Sequence, residues 1–390
     1  MKAFLAIAAA AATLTAGAAL LLPPHHAADP AAPTSAARLD GIEAMQARLH
    51  RLPGDWQTWA ALGISYVERA RVTADPAYYP KAEGALQESL RLRPDNADGL
   101  AGQGALANAR HDFATARDLA QQALKADTYD SIAWDVLADA LTQLGSATEA
   151  SAAVQRFLDV RPGLPAYARG AYDLEQHGRL AEARDLWLRA AAEVHTPQDV
   201  AYVQAHLGDL AWLAGRPDRA RGHHEAALRA QPENTQAAAG LARVKAGAGD
   251  LAGALALWAQ VTARTPAPGL LIEYAAALTS AGRLADAATQ LALAEAGLRL
   301  FAAAGGRDDL GEAELAIALG QPDRAVAAAR REWSRRKHAD VADVLAWALH
   351  LAGRNAEALG YIHLAQALGN PRYTAHRIAI EAAVHKGVRP

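Results

Sequence analysis

A single small residue recurs along this chain at nearly constant intervals. The positions, all occupied by alanine, are Ala82, Ala116, Ala150, Ala183, Ala220, Ala254, Ala287, Ala325 and Ala358. The successive intervals are 34, 34, 33, 37, 34, 33, 38 and 33 residues. Such a period, in a chain without the alternating apolar and polar pattern of half-buried strands, is typical of a solenoid of stacked helical hairpins. The sequence therefore predicts an all-α protein in which each hairpin packs mainly against its neighbours.

Glycine marks the turn inside most of the predicted hairpins. Seven glycines precede the periodic alanine by five residues: Gly145, Gly178, Gly215, Gly249, Gly282, Gly320 and Gly353. Glycine at this place predicts the end of the first helix, because it adopts the left-handed backbone conformation without steric cost. The first hairpin differs, since about seven extra residues separate its two helices, and we expect residues 74–80 to form a loop there.

The repeat positions resemble those of the tetratricopeptide repeat family from residue 42 to residue 390. They are Trp59, Leu62, Gly63, Tyr66, Ala82, Pro94, Trp134, Gly145, Ala150, Gly215 and Ala220. The resemblance implies antiparallel helix pairs wound into a right-handed superhelical α-solenoid. It also implies that the first helices line a concave groove, where members of the family bind a peptide or protein. More specifically, the chain resembles exported, multi-repeat bacterial tetratricopeptide proteins.

Three regions are predicted along the chain. Residues 1–22 contain Lys2 and then a long apolar run, which is typical of a signal peptide or of an uncleaved membrane anchor. Residues 23–38 are rich in proline and alanine and are expected to form a flexible linker. Residues 39–390 are expected to form about nine hairpins with a capping helix at each end. We therefore expect the protein to act outside the cytoplasm, either secreted or anchored at the membrane.

Composition and motifs argue against several functional classes. The formal net charge is −3, which gives no global basic field for nucleic acid. The sequence has no G-x-S-x-G, P-loop or H-E-x-x-H motif, and it has no cysteine. The doublets His25-His26 and His223-His224 do not have the spacing of a metal site, since adjacent helical residues point about 100° apart. We expect no catalytic residue, metal or cofactor.

The candidate binding site is the inner face of the first helices, where we expect the third to fifth hairpins to bind the partner. Its residues are Asp135, Asp139, Gln143, Tyr172, Glu175, Tyr202, Asp209, Trp212 and Arg243. Carboxylates along a groove attract a partner of opposite charge, and aromatic residues supply contact area. Two alternatives stay open, namely that the acids only solubilise the inner wall and that Trp212 packs against a neighbouring first helix.

The sequence thus predicts a non-catalytic, exported scaffold that binds a protein or an extended peptide, within a cell-envelope assembly. The expected partner segment is basic or of mixed polarity, and the membrane is contacted only through an N-terminal anchor. The alternative function is that of an accessory factor for metal delivery or cofactor maturation outside the cytoplasm.

Overall fold

The computed structural model describes residues 41–387, which form twenty α-helices, one short 3₁₀ helix and no strand. A leading helix, α1, spans Ile42–Arg51, and nine hairpins follow. The first helices are α2 Trp56–Thr73, α4 Ala97–Ala109, α6 Ser131–Leu144, α8 Leu164–Gln176, α10 Pro197–Leu213, α12 Thr235–Gly247, α14 Pro268–Ser280, α16 Asp309–Ala318 and α18 Ala339–Leu351. The second helices are α3 Tyr78–Leu92, α5 Phe113–Ala126, α7 Ala147–Val160, α9 Leu180–Glu193, α11 Pro217–Ala230, α13 Leu251–Arg264, α15 Leu284–Ala303, α17 Pro322–Arg335 and α19 Asn355–Gln366. The 3₁₀ helix Pro371–Tyr373 and α20, Thr374–Gly387, end the described chain.

The described chain divides into two compact units. The amino-terminal unit contains residues 41–173 and 300–307, and the carboxy-terminal unit contains residues 174–299 and 308–387. Where a hairpin lies within one unit, its two helices pack together, and first helices such as α2 and α4 or α10 and α12 also pack on one another. The all-α solenoid of hairpins is thus confirmed. The predicted targeting segment and linker, residues 1–38, lie outside the described residues.

Close approach between the helices of a hairpin depends on small residues. Ala82 on α3 has no exposed surface. A Cβ atom added to Gly63 on α2 would lie 2.4 Å from Cγ of Leu86, which is also fully buried. Because protein interiors are close-packed, a larger residue at either position would push the two helices apart. The repeated small residues are therefore a packing requirement of the hairpin.

The turn glycines have the predicted backbone conformation. Gly145 ends α6 with φ of 83°, and Gly215 follows α10 with φ of 68°. The other five glycines of the series also have positive φ. In the second hairpin the same place is held by His111, with φ of 61°, which is uncommon for a residue that has a side chain.

First and second helices differ in how much of their surface they bury. On α6 every residue from position 135 to position 143 is buried, whereas α7 buries only a stripe of four residues, Ala150, Ala153, Val154 and Phe157. A first helix packs against its own second helix and against the first helices of neighbouring hairpins. It is therefore covered on several sides, and polar residues on it need partners inside the protein.

One local expectation is corrected. Residues 74–80 are not a loop throughout, because α2 continues to Thr73 and α3 already begins at Tyr78. The extra residues of the first hairpin thus mostly lengthen its helices.

The repeat tryptophans Trp59 and Trp134 pack against the core and are partly exposed. Their indole N–H groups donate to the carbonyl oxygens of Pro53 and Thr128. Each indole ties the start of a first helix to the preceding turn.

The packing role of Gly63 can be tested with a glycine from the same hairpin. We expect Gly63→Ala to lower the free energy of unfolding by about 1–3 kcal/mol, because the new methyl group overpacks the site against Leu86. Gly84 on α3 is exposed, and no atom lies within 4 Å of an added Cβ. Gly84→Ala should therefore raise stability by up to about 1 kcal/mol through helix propensity alone. Urea unfolding followed by circular dichroism measures both changes, and equal effects would contradict the packing argument.

Candidate functional site

In the amino-terminal unit, two of the predicted groove acids form a buried ionic cluster. Arg169 on α8 donates from Nε to Oδ1 of Asp135 at 2.8 Å and from Nη1 to Oδ1 of Asp139 at 2.9 Å. The side chains of all three residues are at most 2% exposed. Burial lowers the pKa of Arg169, but the two carboxylates outweigh burial and raise it, so the guanidinium stays charged.

The expectation that Asp135 and Asp139 face solvent is therefore wrong. They lie on one face of α6, as their spacing indicates, but Arg169 of the next first helix covers that face and pairs with both carboxylates. Breaking a buried ion pair leaves an uncompensated charge, so these carboxylates hold neighbouring first helices together. Gln143 and Tyr172 are also buried, at 2% and 7% exposure.

A related ionic contact joins α12 and α14 in the carboxy-terminal unit. Arg243 donates from Nε and Nη2 to both carboxylate oxygens of Glu273, at 2.7 and 2.8 Å. Asp209 on α10 lies 3.8 Å from Nη1 of Arg243. Burial lowers the pKa of Arg243, whereas Glu273 and Asp209 raise it more strongly, so the guanidinium remains charged. Arg243 thus links three successive first helices.

Further along the same unit, Asp343 on α18 contacts His376 on α20, with 2.9 Å from Nδ1 to each carboxylate oxygen. The ring of His376 also stacks on Trp347 with 4.2 Å between centroids. The capping helix is therefore fixed by the same kind of contact that joins neighbouring hairpins. We call these contacts between successive first helices, including α20, the inner-face ladder.

Glu175 belongs to the predicted groove, but its carboxylate also has a partner inside the protein. It is 9% exposed and accepts a hydrogen bond of 3.0 Å from Nη2 of Arg372, in the 3₁₀ helix near the end of the chain. The two residues are 197 positions apart, and no local pattern predicts the pair. The backbone is close here as well, since a Cβ on Gly178 would lie 2.3 Å from the carbonyl oxygen of Gly369.

Three predicted groove residues remain partly exposed, and all lie on α10: Tyr202, Asp209 and Trp212. Tyr202 packs edge-on against His206, with ring centroids 4.4 Å apart. Asp209, whose side chain is 20% exposed, accepts a 2.8 Å hydrogen bond from Nε2 of Gln236. Trp212 touches α12, because a Cβ on Gly247 would lie 2.8 Å from its Cη2 atom. Packing and partial exposure thus coexist at Trp212.

One inner-face carboxyl has no matching cation. Glu314 on α16 is 7% exposed, and within residues 41–387 it has no ion pair or side-chain hydrogen bond. Burial raises its pKa well above the ordinary value, and Asp308, Asp340 and Glu273 raise it further, while Arg336 opposes them. Glu314 lies in the series of Asp139 and Arg243, but the next first helix offers no opposite charge there.

Within the described part of the chain, no group of three or more His, Cys, Asp or Glu side chains could hold a metal ion. In residues 41–387, no helix is both long and apolar enough to cross a membrane. The doublet His25-His26 is outside the described residues. In the other doublet, His224 is fully buried between Gly208 and Gly240.

Sequence reasoning missed Arg169 and Glu273, although a signal was present. Each lies 30 residues after an oppositely charged residue of the preceding first helix, Asp139 and Arg243 respectively. Opposite charges about one repeat apart on first helices therefore indicate an ion pair of the inner-face ladder. His376 follows Asp343 by 33 residues in the same way.

Comparison with known proteins agrees with this architecture. Residues 211–269 match the family model for the tetratricopeptide repeat. No curated protein matches the chain by sequence. Human IFIT1, as a dimer with m7Gppp-AAAA, is similar in structure with a TM-score of 0.52 and 15% identity, covering 84% of this chain and 76% of that chain. At this identity the similarity shows the fold alone.

Two further solved structures are more distant. Yeast Tom70 gives a TM-score of 0.43 and 14% identity, covering 90% of this chain and 88% of that chain. PilW, a type IV pilus biogenesis factor, gives a TM-score of 0.43 and 21% identity, covering 51% of this chain and 92% of that chain.

Because Glu314 has no cation partner among the described residues, we expect it to lower the free energy of unfolding in a pH-dependent way. Its folded-state pKa is raised, so the folded protein retains a proton that the unfolded chain releases once the pH exceeds the ordinary value of 4.5. Stability should then fall as the pH rises from 4.5 through the folded-state pKa. We expect Glu314→Gln to change stability little near pH 4.5 and to raise it increasingly towards pH 8, as measured by urea unfolding.

Glu332 on α17 provides the control. It is 1% exposed and pairs with Arg335 and Arg336. Glu332→Gln should lower stability at pH 8 by about 1.5–3 kcal/mol, because it removes a charge-assisted hydrogen bond from the buried Arg336 guanidinium. A pH-independent effect of Glu314→Gln would show that the carboxyl titrates normally in the folded protein.

Proposed function

We propose that the chain is a tetratricopeptide repeat protein that acts as a non-catalytic scaffold and binds an extended segment of a partner protein. The proposal places the segment on the inner face of α10 in the carboxy-terminal unit. The observation that carries it is the partial exposure of Tyr202, Asp209 and Trp212 on this one helix, where the other predicted groove residues are buried. Aromatic residues that are held in place by packing lose little entropy when they bind a partner.

The charge of this face favours a basic or mixed-polar segment. Burial raises the pKa of Glu175 and of Glu273, and the negative charge of Asp209 raises both further. Arg243 and Arg372 offset part of this charge from inside the protein. A lysine or arginine side chain of a partner, placed next to Asp209, would offset more of it and set the register of the segment.

We further propose that this scaffold acts outside the cytoplasm, in a cell-envelope assembly. The support is the sequence of residues 1–22, which has the charge and apolar run of a targeting segment. No observation in residues 41–387 favours the alternative role in metal delivery or cofactor maturation.

The binding face can be tested with a photocrosslinking amino acid. Introduced at Trp212 or Tyr202, it should capture a partner in the native host, whereas the same amino acid at Tyr129 should not. Tyr129 is the matched control, because it is a 77% exposed aromatic residue on the amino-terminal unit. With the captured partner in hand, Trp212→Ala should weaken binding at least ~10-fold, since the aromatic contact is lost.

Unfolding curves must first show that Trp212→Ala remains folded, because the indole also packs on Gly247. Asp209→Asn is a second variant that preserves shape, and it should weaken binding more at low salt than at high salt. Unchanged affinity in both variants would remove the binding site from the inner face of α10.

Export is tested separately. A fusion of residues 1–38 to a reporter that is active only outside the cytoplasm should be active, because Lys2 and the following apolar residues supply the two features that export machinery reads. Replacing Leu20, Leu21 and Leu22 with aspartates should abolish the activity. Mass spectrometry of the exported product then distinguishes cleavage from anchoring, and an inactive wild-type fusion would refute export.

A further inference from the structure

A second surface of the carboxy-terminal unit combines an apolar floor with unpaired positive charge. It is a cavity of about 600 Å³ between α9, α10 and α11. Its floor includes Leu207 and Leu210 of α10, both buried. Its rim includes Arg184 of α9, Arg219 of α11 and Arg216, which directly precedes α11. We call this site the arginine pocket.

The arginine pocket lies on the other side of α10 from the partner-binding face. Leu207, Leu210, Ala211 and Ala214 follow the i, i+3, i+4, i+7 spacing of one helical face. Asp209 and Trp212 lie on the opposite face by the same geometry. Neither they nor Tyr202 line the cavity. The two surfaces are therefore separate.

The arginines of the rim are not neutralised within the protein. Within residues 41–387, neither Arg216 nor Arg219 forms an ion pair. Arg184 has only a 3.9 Å contact with its neighbour Asp185, and both side chains are more than half exposed. Three guanidinium groups thus face one carboxylate, since Asp185 is the acid of the lining.

A further observation shows that the arginines act on the interior of this cavity. The pKa of His223, which also lines it, is lowered first by burial and then by Arg184 and Arg219. The first turns of α9 and α11 each carry an acidic residue, Glu182 and Asp218, so the attraction for an anion comes from the arginines and not from the helix termini.

We propose that the arginine pocket binds an acidic segment of a partner polypeptide, with an apolar side chain seated on Leu207 and Leu210. The guanidinium groups come from two helices, α9 and α11, and the apolar floor comes from a third, α10. A peptide with carboxylates on both sides of an apolar residue presents charge to both helices at once. An amphiphile with a single carboxylate offers one negative charge to the three guanidinium groups.

The volume is compatible with this occupant. Ligand pockets of proteins span roughly 300–1,000 Å³, so the cavity accommodates a large apolar side chain together with its flanking backbone. Because the arginines are exposed, the electrostatic part of the binding is screened by salt. The binding should therefore combine a salt-dependent contribution from charge with a salt-independent one from apolar contact.

The test uses a synthetic peptide, acetylated and amidated, with a central leucine flanked on each side by two glutamates. Fluorescence anisotropy of the labelled peptide should show saturable binding to the full chain, weaker at 0.5 M salt. A peptide with serine in place of leucine should bind more weakly, and one with lysines in place of the glutamates should not bind.

Two variants on one helix locate the site. Arg216→Ala combined with Arg219→Ala should weaken binding of the acidic peptide at least ~10-fold, because two charge-assisted contacts are lost. Arg229→Ala, at an exposed position of α11 outside the cavity, should leave the affinity unchanged. Equal affinity of wild type and the double variant would overturn the proposal, as would equal binding of the glutamate and lysine peptides.

Two further titrations separate this proposal from the alternatives. The Trp212→Ala variant should bind the acidic peptide with wild-type affinity, because Trp212 does not line the arginine pocket. Loss of binding at the inner face can therefore be told apart from loss of binding at the arginine pocket. If dodecanoate binds and the acidic peptide does not, the pocket accepts a small amphiphile, and the polypeptide occupant is refuted.

Discussion

Close packing between helices is the constraint on which this structure depends. A helical hairpin of about 34 residues cannot bury its apolar face alone, so each one must lie against its neighbours. Helices approach closely only where small residues stand at the contact, as at Gly63 over Leu86. The same geometry recurs where His224 fills the space between Gly208 and Gly240. Alanine and glycine therefore recur in the sequence because the helices pack too closely for larger side chains.

The first consequence of this packing is that polar residues on the first helices become buried. A buried charge without a partner destabilises the folded state, and the inner-face ladder supplies partners for these charges. Arg169 satisfies two aspartates of the preceding helix, and Arg243 joins Glu273 to Asp209. Such contacts require a particular neighbour at a particular offset, so they favour the correct order of hairpins over alternatives with similar apolar faces. Glu314 lacks such a partner among the described residues.

A second consequence concerns where binding can occur. A ladder residue that is fully buried is not available to a partner. In the carboxy-terminal unit α10 still has two accessible faces, one aromatic and acidic around Trp212, where the ladder leaves Asp209 partly exposed, and one apolar with arginines around it. The opposite charges of these faces would let one scaffold hold the two segments proposed above, one basic and one acidic.

The helices, the turns and the order of the hairpins follow from local sequence. They depend on interactions that recur in every repeat, such as the left-handed conformation of Gly145 and the need for a small residue at Ala82. Which polar residues face solvent depends on tertiary contacts. Local sequence predicts that Asp135 and Asp139 are exposed, but Arg169 in the next hairpin buries both. No local pattern predicts the ion pair of Glu175 and Arg372, because the two residues are 197 positions apart and meet only in the folded unit. Residues from three helices form the arginine pocket, so no single segment of the sequence predicts it.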